Sequence, residues 1–233
     1  MNKVILWDFD GTLGYREGNW EETIFELVDN KKVKTAVNFD LVYKLLQSGF
    51  PLHEPKKNFI SLRDKNAWWE YVMPIFIEIY TSLGFNKFEA MLKASQIPEQ
   101  YSKLEKWKVY DDALLNLAKL ENLHWRNILV TNNVPDFPII LNQLSLNKYF
   151  YTGFVSSLMG CNKPNPLTLN GYLETLAYNT KIIVVGDREE SDLMFANAIH
   201  AEGILVRSDA NNQLVNFSNL NDLTEYLLSL NLE

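Results

Sequence analysis

The sequence has 233 residues, 47% of them hydrophobic, and 29 acidic against 22 basic side chains give it a formal charge of −7. That apolar share excludes a disordered chain, and the scattered Lys and Arg speak against a nucleic-acid partner. Cys161 is the single cysteine and cannot form an internal disulfide, no run approaches the ~20 apolar residues a membrane helix needs, and Asp8 and Asp10 interrupt the only N-terminal apolar run, so a cytoplasmic protein off the membrane is the expectation.

In chain order, the run VILW at 4–7 reads as a strand. Residues 14–108 then carry helical patterns at 20–28, 39–47, 67–83 and 87–94, with no strand expected among them. Pro74 is expected to start a turn or kink the third of these. Trp68, Trp69 and Tyr71 read as core aromatics of this helical lobe. A helix over 108–122 follows, then apolar strands at 127–131, 152–156, 181–186 and 203–207. They alternate with helical patterns at 136–146, 166–178, 190–200 and 219–230. Strand and helix in alternation predict an α/β fold with a Rossmann-like parallel sheet covered on both faces. Residues 1–13 and 109–233 would form that core, and 14–108 an inserted α-helical domain.

Ligands of an open parallel sheet bind beyond the carboxyl ends of its strands, so those ends are where chemistry is expected. The first is followed by Asp8-Phe9-Asp10-Gly11-Thr12, and the second closes on Thr131-Asn132-Asn133. Past the third lies Asn162-Lys163-Pro164-Asn165-Pro166, and past the fourth Gly186-Asp187-Arg188-Glu189-Glu190-Ser191-Asp192. Residues two apart in a strand face the same side, so Asp8 and Asp10 are expected to converge. Two such charges ~4 Å apart repel by roughly 4 kcal/mol at an effective dielectric of 20. Asp8, Asp10, Asp187 and Asp192 with Lys163 sum to three negative charges, a cluster of oxygen ligands suited to magnesium. The Thr131 hydroxyl, the Lys163 ammonium and backbone amides after Asp10 and at Asn132 can then hold phosphoryl oxygens.

These four stations, in this order, resemble the motifs of the haloacid dehalogenase superfamily, in its phosphatase branch with a helical cap after the first motif (phosphoglycolate phosphatase-like). DFDGT is similar to the first motif, the Thr131 strand end to the second, KPNP to the third and GDREESD to the fourth. The resemblance implies that Asp8 is a nucleophile forming an aspartyl-phosphate and that Asp10 is the general acid and base. It implies that Thr131 and Lys163 bind the phosphoryl group, with Lys163 also steadying Asp8, and that Gly11 lets the backbone turn beneath the phosphate. It further implies a Mg2+ held by Asp8, the Asp10 backbone carbonyl and Asp187, while Asp192 supports the metal or orients Lys163. Residues 14–108 would be the cap, with Arg16, His53, Arg63, Lys65 and Trp68 as candidate selectors of a small phosphorylated metabolite.

Two other readings differ in what they predict. A phosphosugar mutase would share all four motifs and yield isomerised sugar phosphate in place of free phosphate. A non-catalytic regulatory or binding protein would be expected to lack the nucleophile or acid, and neither is missing. Halide removal is disfavoured because Asp10 and the acidic pair at 187 and 192 are present. His53, His124 and His200 follow no metal-ligand spacing, and Cys161 has no His partner in sequence.

Overall fold

A computed structural model describes residues 2–28, 39–209 and 214–229. The chain enters through β1 (Lys3–Trp7), whose apolar residues alternate between two hydrophobic layers: Ile5 and Trp7 pack on one, Val4 and Leu6 on the other. A strand buried on both faces must be apolar at every position, which is why the run is continuous. Next come the short β2 (Gly14–Arg16) and the helices α1 (Trp20–Glu26), α2 (Phe39–Leu46), α3 (Lys65–Ser82) and α4 (Lys87–Tyr101). The chain returns through β3 (Trp107–Val109) and α5 (Ala113–Asn122) to β4 (Trp125–Thr131). α6 (Phe137–Gln143), β5 (Thr152–Val155) and α7 (Ser156–Met159) lead to β6 (Lys181–Gly186). The chain then runs through α8 (Met194–Ala198), β7 (Glu202–Val206), β8 (Asn216–Phe217) and α9 (Leu220–Ser229).

Six strands form one parallel sheet in the order β5-β4-β1-β6-β7-β8. In β4 and β6 the same alternation recurs: Leu129, Ile183 and Val185 join the layer of Ile5 and Trp7, and Ile128, Val130 and Val184 join the other. Trp7 lies opposite Leu129 on one side and Val185 on the other, so β1, β4 and β6 end at nearly one level. That register delivers the three loops beginning at Asp8, Asn132 and Asp187 to the same edge.

The helices α1 to α4 bury a third cluster of their own, built on Ile24, Val72, Phe76 and Tyr80. β2 and β3 pair antiparallel, Gly14 opposite Val109 and Arg16 opposite Trp107, and so tie the start and end of the insertion together. No strand was expected between 14 and 108, and this ribbon corrects that. Three-residue strands carry too little pattern to be read from periodicity.

Other expectations are corrected as well. The helix over 166–178 is instead two 3-10 turns, Pro166–Leu169 and Tyr172–Thr175, because Asn170 and Gly171 both take left-handed φ, 46° and 78°. The pattern at 190–200 opens as a π-helical turn, Glu189–Leu193, before α8. β3 and a short link occupy 107–112, so α5 starts later than the sequence suggests. The edge strand β8 was not foreseen. α3 runs through Pro74 without ending, so that residue starts no turn. Tyr71 is 37% exposed and packs on Phe59 rather than filling the core, whereas Trp68 and Trp69 are buried as expected. Among the described residues no helix is long and apolar enough to cross a membrane.

Candidate active site

β1 ends at Trp7, one residue before the first aspartate, so Asp8 and Asp10 stand in the turn beyond the strand. Strand alternation was therefore the wrong reason for their convergence. The turn itself brings both to the same cleft, through bonds from Gly11 N–H to the Gly14 carbonyl and from Leu13 N–H to the Phe9 carbonyl. The cleft has a volume of about 380 Å³ and is lined by Asp8, Asp10, Asn132, Lys163, Asp187 and Arg188, with Leu52 from the helical side.

Lys163 is the hinge of the charge arrangement. Its ammonium donates to Asp8 Oδ1 at 2.7 Å and to Asp192 Oδ1 at 2.6 Å, and its side chain is 2% exposed. A buried ammonium is tolerable only when such partners surround it. Burial alone would lower the Lys163 pKa, but the carboxylates of Asp192 and Asp8 outweigh it and hold the residue charged. The lysine backbone is fixed as well: its N–H donates to Asn132 Oδ1 at 2.8 Å, and Asn132 Nδ2 donates back to its carbonyl at 3.1 Å. The side chain of Asn132 thus positions Lys163.

The two aspartates of the first loop have separate partners. Asp10 Oδ2 accepts from Asn133 Nδ2 at 2.7 Å, and Asn133 Oδ1 accepts from the Val134 N–H at 2.9 Å. That second bond fixes which end of the carboxamide faces Asp10. Burial is the main cause that pushes Asp10 up to about 8, with the charges of Asp8 and Asp187 adding to it. Asp8 is raised to about 7, again chiefly by burial and against the pull of Lys163. Asp187 is raised by burial and by Asp192. The first-loop pair therefore has two different partners, the Asn133 carboxamide for Asp10 and the Lys163 ammonium for Asp8.

Asp8, Asp187 and Asp192 each offer an oxygen, and the three atoms lie within 4.8 Å of one another. This oxygen-only set fits a hard divalent cation. Asp192 is wholly buried, and its Oδ2 also accepts from the Arg188 N–H at 3.1 Å, so both of its oxygens are engaged in orienting Lys163 and the loop. Of the two roles expected of Asp192, this geometry displays the orienting one. Two glycines make room for the acids. A Cβ on Gly11, whose φ is +77°, would collide with the Asp187 carboxylate, and one on Gly186 would collide with that of Asp192. Gly11 was expected to serve the phosphate; the space it opens here holds Asp187. Thr131 Oγ1 is buried and finds no hydrogen-bond partner among the described residues, leaving a free hydroxyl at the strand end. An orphan of this kind is costly unless a ligand satisfies it.

Of the selectors expected of the helical lobe, most do not line the cleft or the opening beside it. Arg16 donates to the carbonyls of Tyr101 and Gly18 at 2.9 and 2.8 Å, and its guanidinium lies 4.5 Å from the centre of the Tyr101 ring. Arg63 donates to the Met159 carbonyl at 2.8 Å, and Lys65 forms an ion pair with Asp136. His53 Nδ1 accepts from the Phe50 N–H at 3.4 Å. Each of these four makes a contact within the protein, and of the five expected selectors only Trp68 lines an opening toward the site. Cys161 is buried against Asn58, and burial raises its thiol. The sequence reading missed Asn133 as the partner of Asp10 and Asp136 as the point where the lobe docks, through Lys65 and through Trp69 Nε1 at 2.8 Å. Asn133 was legible only as the second of two amides after Thr131.

A protein-family model for haloacid dehalogenase-like hydrolases matches residues 2–200. The chain belongs to that family. No protein of curated function matches the sequence. Among solved structures, the HAD-hydrolase YfnB from Bacillus subtilis bound to magnesium is similar with a TM-score of 0.68 at 16% identity, covering 97% of this chain and 98% of that one. The 2-haloacid dehalogenase from Pseudomonas syringae pv. Tomato DC3000 scores 0.67 at 18% identity, covering 99% and 100%. The HAD phosphatase from Thermococcus onnurineus scores 0.62 at 19% identity, covering 97% and 98%. At such identities the likeness is one of fold.

Proposed function

We propose that this hydrolase is a magnesium-dependent phosphatase of small phosphate monoesters, with residues 14–108 acting as the cap of its site. The observation that carries this reading is the division between Asp8, bound to the Lys163 ammonium, and Asp10, bound to the Asn133 carboxamide. Asp8, Asp187 and the Asp10 carbonyl would hold Mg2+, which when bound supplies positive charge to the phosphoryl oxygens and to the Asp8 carboxylate.

Asp8 attacks phosphorus, a carboxylate oxygen–phosphorus bond forms to give an acyl phosphate, and the bond from phosphorus to the leaving oxygen breaks. Asp10 enters this step protonated and gives its proton to that oxygen, so the substrate's alcohol leaves neutral. In the second step Asp10, now ionised, takes a proton from water as the water attacks phosphorus. Phosphate departs and Asp8 is restored. Thr131 Oγ1, Lys163 and the amide at Asn132 hold the phosphoryl oxygens through both steps. The high pKa of Asp10 suits a group that must begin with a proton. Carbon–halogen cleavage gives Asp10 no leaving oxygen to protonate, so that chemistry leaves the best-positioned acid without a task.

Purified protein with magnesium should release inorganic phosphate from a generic aryl phosphate, and excess chelator should stop it. Release that persists in chelator overturns the metal assignment; no release at all overturns the phosphatase reading.

A further inference from the structure

Beside the phosphoryl cleft lies a second, inner chamber of about 70 Å³, which shares Asp10, Leu52 and Asn132 with it. Its wall is aromatic: Trp20, Phe50, Trp68 and Tyr101. Trp20 stacks on Tyr101 with ring centres 3.8 Å apart and packs on Phe50 at 5.2 Å, so the wall is a continuous rigid surface. Asp10 lines both spaces, so a leaving oxygen that it protonates at their junction can place the rest of the alcohol in the chamber.

The charge of that chamber is informative. Among the described residues its lining includes no cation. The nearby basic side chains are placed elsewhere: Arg16 on main-chain carbonyls, Arg63 on Met159, Lys65 on Asp136, Lys163 on Asp8 and Asp192, and Arg188 in the outer cleft beside Asp187. Ser156 and Asn162 add only neutral hydrogen-bonding groups to the lining. A carboxylate or a second phosphate placed there would be desolvated against indole and phenyl rings without a counter-charge, which is strongly unfavourable. The volume admits about five water-sized groups, enough for a short alcohol or a single ring.

Resting on the phosphatase reading above, we propose that the leaving group is a small, uncharged alcohol bound in this aromatic chamber, and that phosphate esters carrying a carboxylate or second phosphate on the alcohol are rejected. This runs against a phosphoglycolate substrate. It also disfavours a mutase, whose doubly phosphorylated sugar would put a dianion in the chamber.

The test is a matched pair, 2-phosphoglycolate and its neutral carboxamide, with phenyl phosphate as a third substrate and magnesium present throughout. The carboxamide should be turned over with a kcat/KM higher than that of the carboxylate by about tenfold or more. Leu52 is 46% exposed at the junction of cleft and chamber, so Leu52→Arg places a cation there without disturbing the core, and it should narrow or reverse that ratio. Equal or better turnover of the carboxylate by the unaltered protein overturns the proposal and leaves the phosphatase reading standing. An unchanged ratio in Leu52→Arg places the small leaving group elsewhere and also overturns it. Failure to release phosphate from any of the three esters removes the phosphatase reading and the proposal with it.

Discussion

On the sheet side of the cleft the buried ionisable groups are held by specific partners. Lys163 bridges Asp8 and Asp192, Asn133 holds Asp10, and two glycines clear the space for two carboxylates. On the helical side the groups that meet the cleft are indoles, phenyl rings and a leucine, while the charged residues are turned outward or into clamps. The two halves answer different requirements. Charge that must act on phosphorus has to be held rigidly and offset locally, whereas a wall that accepts an alcohol needs shape and low polarity. Substitutions on the two sides should accordingly differ in size and in kind.

The largest effect belongs to Lys163. Lys163→Met strands two buried carboxylates, so a loss of ~3–5 kcal/mol of folding stability is expected in metal-free protein. Denaturant unfolding with and without magnesium measures it, and the loss should be smaller with magnesium present. An equal loss under both conditions would mean that no cation shares the charge of Asp8 and Asp192. Asp10→Asn should follow, slowing phosphate release by ~10²-fold while KM changes little. Asn133→Ala should lower kcat in the same direction but by about tenfold, since the acid survives and only its orientation is lost. Steady-state kinetics on one ester would rank the two, and an Asn133→Ala protein with wild-type kcat would remove the carboxamide from the account.

The smallest effect is expected on the helical side. Lys65 is half exposed, and its pair with Asp136 is expected to contribute no more than about 1 kcal/mol. Thermal unfolding of Lys65→Met should therefore stay close to wild type. A drop as large as that of Lys163→Met would break the contrast between the halves.

The same contrast explains what the sequence disclosed. The parallel sheet was readable because Val4 to Trp7 and their counterparts in β4 and β6 must be apolar on both faces. The four strand-end stations were readable because the site draws one short motif from each loop. Asn133 was not, since its bond to Asp10 joins residues 123 apart and an amide pair carries no pattern of its own. The aromatic chamber was also hidden. Trp20, Phe50, Trp68 and Tyr101 come from scattered points of the insertion, and an aromatic in a helix looks the same whether it fills a core or walls a pocket. Trp68 does both. The helix misread at 166–178 failed on two left-handed residues, Asn170 and Gly171, whose apolar neighbours still kept a helical period.

The central claim is that Asp8 carries the phosphoryl group during turnover. Acid quenching within one turnover, followed by mass spectrometry of the peptide containing Asp8, tests it most directly. The account predicts a phosphoryl adduct on Asp8 and none in Asp8→Asn, which should also lose at least ~10³-fold of the activity. Undiminished turnover by Asp8→Asn, or an adduct on a different residue, would contradict it.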